Sequence, residues 1–316
     1  MLSRRLLRIK ALKAIYAHLQ CDGDNLNASQ KRLFLSIDKA YDLYFLLLQL
    51  PVAMADYSRS MQQIAREKHL ATYEDLNPNT KFVDSAAIRL LENSDSLNDH
   101  LSARGVSWRE HPEFVKALFV AFAQSEKFKS YMSTPVGNIK EDVELLEYLF
   151  VELLQSNEQI TEQVEEVVEE ISIMMSGDIS YVLPLVHRTI TSIRPSHTDI
   201  KVMKKYKNDD DIDFVRALFE RSIVNHSKYQ AYIEKFTANW DVERIVLMDN
   251  LIMVVAMAEL LNFPDIPTKV TMDEYIEISK FYSTPGSSNF VNGILDRLTN
   301  SLNEEGAIKK SGRGLM

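Results

Sequence analysis

The 316-residue chain carries 36 Lys and Arg against 45 Asp and Glu, a formal net charge of −9, and 46% of its residues are hydrophobic. That length is enough for one large or two small domains with a sizeable core. With 9 Gly, 9 Pro and 1 Cys, the composition lacks the turn formers of an all-β or doubly wound fold and excludes a disulfide framework or a zinc site built on several thiolates. It suits an all-α protein of the reducing cytoplasm.

In chain order, residues 3–19 read as a helix. Leu7, Ala11, Ala14, Ile15 and His18 share one buried face, Arg5, Ile9, Leu12 and Tyr16 form a stripe at its edge, and Lys10 and Lys13 point to solvent. This helix carries Arg4, Arg5, Arg8, Lys10 and Lys13 without a single acid. In a chain that is acidic overall, it is where a phosphate-bearing partner is expected. The same acid-free start has no uninterrupted apolar stretch and so does not read as a secretory signal; an amphipathic transit peptide is the alternative reading.

Cys21 to Asn27 is a polar break. A second helix is expected from Ser29 to Leu50, ending near Pro51, and a third from there to Lys68. The longest apolar run, Leu43 to Ala55, is interrupted by Gln49 and Pro51 and falls short of the ~20 residues needed to cross a bilayer. EDLNPNTKF reads as a loop, and 83–103, 112–134 and 140–175 read as helical, the last carrying Glu158, Glu162, Glu165, Glu166, Glu169 and Glu170. RPSHTD at 194–199 is the best internal boundary. Beyond it, Lys201, Lys204, Lys205 and Lys207 precede Asp209, Asp210, Asp211 and Asp213. These aspartates suit a helix N-terminus better than a metal site, because no glycine-bearing calcium-loop spacing accompanies them.

Two stretches look alike. FVKALF begins at Phe114 and FVRALF at Phe214; each is followed by a tyrosine (Tyr131, Tyr232) and then by Asp-Val-Glu (Asp142–Glu144, Asp241–Glu243). EEIS ending at Ser172 parallels IEIS ending at Ser279, and SYV at 180–182 parallels NFV at 289–291. A degenerate internal duplication of 112–190 and chance similarity between amphipathic helices both account for this.

The last hundred residues carry a recognisable pattern: Arg244…Asp249 ahead of an apolar helix, Ala-Glu-Leu at 258–260, Pro267 before a helix with Glu274 and Ile278, and Ser288-Asn-Phe-Val-Asn-Gly-Ile-Leu-Asp296. Together with Arg4-Arg5-x-x-Arg8, Ala11, Ala14 and Tyr16 at the other end, the chain resembles the NusB family of transcription antitermination factors. LYFLLLQLPVAMADYS from Leu43 also resembles that family's second and third helices. The departures are the length of the chain between the two ends and Asn289, where the family often has a basic residue.

The resemblance implies an all-α, NusB-like helical bundle with an additional helical insertion. Residues 1–20 are then the basic N-terminal helix, 21–200 the insertion, 201–302 the C-terminal helical module and 303–316 a flexible tail. It also implies boxA-type single-stranded RNA, the ribosomal small-subunit protein NusE and the RNA polymerase antitermination complex as partners, with no cofactor, no metal and no membrane. The RNA is expected to run over Arg4, Arg5, Arg8, Lys13, Tyr16, Asn292 and Gly293. Guanidinium groups suit phosphates and bases, Tyr16 suits stacking, and a glycine inside a helix invites close approach. For Gly293, contact with another helix is the alternative reading; Phe290 and Val291 read as core.

An enzyme is disfavoured. The histidines form no HExxH pair, and no GxxxxGK, GxGxxG or GxSxG is present. A NusB-like RNA methyltransferase would need catalytic cysteines, and only Cys21 exists. The remaining alternative is a protein-binding helical scaffold without direct RNA contact.

Overall fold

A computed structural model describes residues 1–21, 25–237 and 246–315, and those residues contain helices and no strand. The helices are α1 (Arg4–Gln20), α2 (Leu26–Arg66), α3 (Tyr73–Leu76), α4 (Ala86–Glu92), α5 (Asp95–Arg104), α6 (Pro112–Gln124), α7 (Glu126–Met132) and α8 (Ile139–Tyr148). A π-helical turn, Leu149–Leu153, prolongs α8. Then come α9 (Glu158–Ile171), α10 (Ile179–Thr191), α11 (Asp209–Val224), α12 (His226–Thr237), α13 (Leu247–Asn262), α14 (Thr268–Tyr282) and α15 (Ser287–Glu304).

The chain divides into two compact units, one of residues 1–2 and 36–205, the other of residues 3–35 and 206–316. The all-α fold class is as read from composition; several boundaries differ. Pro51 lies inside one continuous helix, α2, rather than ending it. The expected helix 83–103 is two, because the Ser94 side chain accepts from the Leu97 amide and caps a fresh start at α5. Residues 112–134 are likewise split at Ser125, which accepts from Phe128 N. The EDLNPNTKF loop begins within a single turn, α3, set by a reciprocal capping box between Thr72 and Asp75.

In the 36–205 unit, α8 packs on α4, α7 and α10. Buried Asp142 accepts from the Ala86 amide at 2.8 Å and from the Tyr131 hydroxyl at 2.6 Å, so one carboxylate caps α4 and ties it to α7. Burial, and then the hydrogen bond to Asp142 and its negative charge, push the Tyr131 pKa above its usual range. Trp108 donates its indole N–H to the Leu46 carbonyl at 2.7 Å, fixing the chain beyond α5 on α2.

In the other unit, α13 is buried nearly all round, from Leu251 to Leu260, as expected of a helix apolar on every face. It packs against α1, α11, α12, α14 and α15. The aspartates at 209–211 form the first turn of α11. The tail expected to be flexible carries specific bonds: Ser311 N donates to Pro264 O at 3.1 Å, and Lys310 donates to the Leu260 and Phe263 carbonyls at 3.1 and 3.0 Å, at the end of α13.

After each Phe-Val-x-Ala-Leu-Phe segment the helix order is the same: α6 to α10 in one unit, α11 to α15 in the other. Residues 176–194 and 285–303 also align without a gap, with Gly177 on Gly286, Val182 on Val291, Arg188 on Arg297 and Ser192 on Ser301. Both glycines have positive φ, 74° and 91°; Gly286 is the N-cap of α15, and Gly177 precedes Asp178, the N-cap of α10. The packing is not identical: α14 lies against α13 and α15, whereas α9 lies against α6. The Asp-Val-Glu at 241–243 falls outside the described residues.

A Cβ on Gly314 would stand 1.8 Å from the Pro264 carbonyl oxygen, closer than any contact allows. Gly314→Ala is therefore expected to lift the tail off and accelerate hydrogen exchange of the Ser311 amide, with α13 unaffected. Unchanged protection at Ser311 would show that the tail contact does not form.

Candidate nucleic-acid interface

The basic first helix is the strongest functional signal in the sequence, and its arginines have carboxylate partners. Ser3 caps α1 by accepting from Leu6 N. From there Arg4 donates Nε to Asp211 at 3.0 Å, and Arg5 donates to both oxygens of Glu274 at 2.8 and 3.0 Å. Arg8 donates to both oxygens of Glu259 at 2.8 and 2.7 Å. Arg4 and Arg8, one turn apart, also flank the Phe214 ring at 4.9 and 5.3 Å.

Arg8 must be removed from the RNA site. Its side chain is 3% exposed and that of Glu259 0%, so no phosphate reaches it. The Glu259 carboxylate also accepts from the Thr271 hydroxyl at 2.9 Å and the Tyr275 hydroxyl at 3.0 Å, both side chains fully buried. Burial opposes the Arg8 charge. The hydrogen bonds and negative charge of Glu259 outweigh that and hold the guanidinium above its usual pKa. Burial, then the charge of Glu259, likewise raise the Tyr275 phenol. The arrangement is a structural pin between α1, α13 and α14. The Ala-Glu-Leu motif by itself gives Glu259 no such role. The signal that could have found it is a carboxylate deep within an apolar run, which calls for a buried cation.

Arg4 and Arg5 stay partly accessible, each side chain 40% exposed. Lys10, expected in solvent, is buried at 2%. Lys13 is half-buried, its Nζ 5.3 Å from the centre of the Tyr282 ring at the end of α14. Tyr16 is 38% exposed, and Phe281, which no sequence pattern singled out, presents 73% of its surface beside Tyr282. Asn292 is exposed on α15, and a Cβ added to Gly293 would meet nothing within 4 Å. Helix packing therefore does not explain Gly293. Val291 is core as expected, while Phe290 is only half-buried. Arg244, part of the family pattern, lies outside the described residues. Among the described residues no group of three or more His, Cys, Asp or Glu is placed to hold a metal, and no helix is long and apolar enough to cross a membrane.

A basic first helix locked by an arginine–glutamate pair onto α13 defines an all-helical module class, and comparison with known proteins identifies it. The NusB family model matches residues 184–300. The chain is 41% identical over 104 residues to the transcription antitermination protein NusB of Salinibacter ruber, covering 33% of this chain and 65% of that one. It is 42% identical over 104 residues to the protein of that name from Chloroherpeton thalassium, covering 33% and 49%. To that of Natranaerobius thermophilus it is 38% identical over 101 residues, covering 32% and 73%. The chain belongs to the NusB family. It spans 65% and 49% of the length of the first two relatives. No solved structure matches it.

Leaving either half of the Arg8–Glu259 pair alone strands a buried charge, a loss of about 3–5 kcal/mol. Arg8→Met and Glu259→Met are each expected to cost that much in denaturant unfolding, and the double variant much less. Additive losses in the double variant would show that the two side chains are not coupled.

Proposed function

We propose that this chain is a non-enzymatic, RNA-binding transcription antitermination factor of the cytoplasm that acts on ribosomal RNA operons. In this reading it binds boxA-type single-stranded RNA together with the ribosomal protein NusE, within the RNA polymerase antitermination complex. The observation that carries the reading is the open space beside Gly293 on α15, within the segment that the NusB family model matches.

The site is narrower than the first helix suggested. Arg4 and Arg5 contribute from partly exposed, carboxylate-paired positions, Lys13 from beside Tyr282, Tyr16 as an aromatic face, and Asn292 and Gly293 as hydrogen-bonding and close-approach positions on α15. With the arginine charge largely neutralised, affinity rests more on stacking and base-edge contacts than on phosphate pairing. That leaves a shallow salt dependence.

Two variants separate this reading from a scaffold that never touches RNA. Gly293→Ala is expected to stabilise the fold by up to ~1 kcal/mol, since alanine favours a helix interior, while weakening boxA-type RNA binding measured by anisotropy. Tyr16→Ala is expected to cost about 1–3 kcal/mol of RNA affinity through lost stacking. Arg8→Met, among variants that remain folded, should leave the salt slope unchanged. If both Gly293→Ala and Tyr16→Ala bind RNA as the parent chain does, the site assignment fails.

A further inference from the structure

The 36–205 unit contains a cavity of about 440 Å³, within the size range of small-molecule sites. Two helical irregularities form it. On one side is the π-helical turn Leu149–Leu153, and on the other α10 with Pro184 in its interior. Pro184 has no N–H for the Ser180 carbonyl, and π-turns gather at functional sites. The apolar wall is Phe150, Leu183 and Pro184. The polar rim is Gln155, His187, Arg188 and Thr191. His187 Nε2 is 2.7 Å from Glu147 Oε1, which orients the ring. Arg188 is exposed and has no carboxylate within ion-pair distance among the described residues, unlike Arg4, Arg5 and Arg8.

In the gapless register of 176–194 on 285–303, Leu183 and Pro184 fall on Asn292 and Gly293, and Arg188 falls on Arg297. Two residues that line the cavity thus fall, in sequence register, on two residues of the proposed RNA face. We propose that residues 112–194 are a worn copy of the 212–303 module and that this cavity binds a nucleoside monophosphate, either free or as one nucleotide of a single-stranded RNA. The inference rests on the RNA-binding reading for the choice of ligand class. Arg188 takes the phosphate by a charge-assisted pair. Gln155 and Thr191 offer both donors and acceptors to a base or sugar edge, and Leu183 with Pro184 offers an apolar surface to the base face.

The test uses the full chain, with uridine and adenosine monophosphates, inorganic phosphate and a boxA-like RNA as probes in calorimetry. Saturable binding of a mononucleotide is expected, weakened about tenfold or more by Arg188→Ala and abolished by Gln155→Trp, which fills the mouth of the cavity. Both changes are at exposed positions, and their unfolding midpoints should match the parent. Reduced RNA affinity in Arg188→Ala identifies the source as the RNA; unchanged RNA affinity with lost mononucleotide binding identifies a free nucleotide. Absence of saturable mononucleotide binding, binding equalled by inorganic phosphate, or binding indifferent to both substitutions overturns the proposal. Failure of the RNA-binding reading shows separately, as a parent chain that does not bind boxA-like RNA at all.

Discussion

The buried ion pair between Arg8 and Glu259 is the constraint around which the 3–35 and 206–316 unit is arranged. Its partners are separated by 251 positions in sequence, yet both belong to one compact unit. A fully desolvated pair of this kind contributes little net stability compared with well-packed apolar residues. What it supplies is specificity: only one placement of α1 along α13 satisfies the Arg8 fork, the Glu259 carboxylate and the hydroxyls of Thr271 and Tyr275 together. Phe214 between Arg4 and Arg8 extends that register to α11. A long intervening chain is tolerable under these conditions, because the entropy of closing a connection grows only slowly with its length.

The same pair explains why charge in the sequence was a poor guide to charge at the surface. Arg4, Arg5 and Arg8 looked like a phosphate-binding cluster because their partners Asp211, Glu274 and Glu259 lie more than two hundred residues away. No pattern within α1 shows that pairing. Lys10 misled for a related reason. Helical periodicity assumes one apolar stripe and one wet face, and α1 is buried on most sides as far as Leu12, so the face predicted to be wet is covered.

Elsewhere the sequence was legible where local chemistry decides the structure. The acids at 209–211 do open α11, and α13 is the buried helix its apolar run required. Legibility failed where one residue had to outweigh a pattern. Pro51 was expected to end a helix, but α2 continues through it, with Leu48, Leu50, Met54 and Ala55 all fully buried around it. Tertiary burial there outweighs the lost hydrogen bond and the ring clash of an interior proline, together about 3 kcal/mol. Ser94 and Ser125 worked the other way, as caps that split helices which apolar periodicity alone had run together.

The two glycine-led helices, α10 and α15, show how one backbone plan can carry different surfaces. Gly177 and Gly286 both have positive φ, a backbone that costs other residues about 1 kcal/mol or more, at the approach to each helix. Past these glycines, one of the differences between the two helices alters the backbone itself. Gly293 keeps α15 regular and leaves open space above it, whereas Pro184 interrupts the hydrogen bonding of α10 beside a π-turn, and the surface there becomes concave. The difference between the two units is therefore one of shape produced by backbone chemistry, and charge plays a smaller part in it than the arginine-rich first helix had implied.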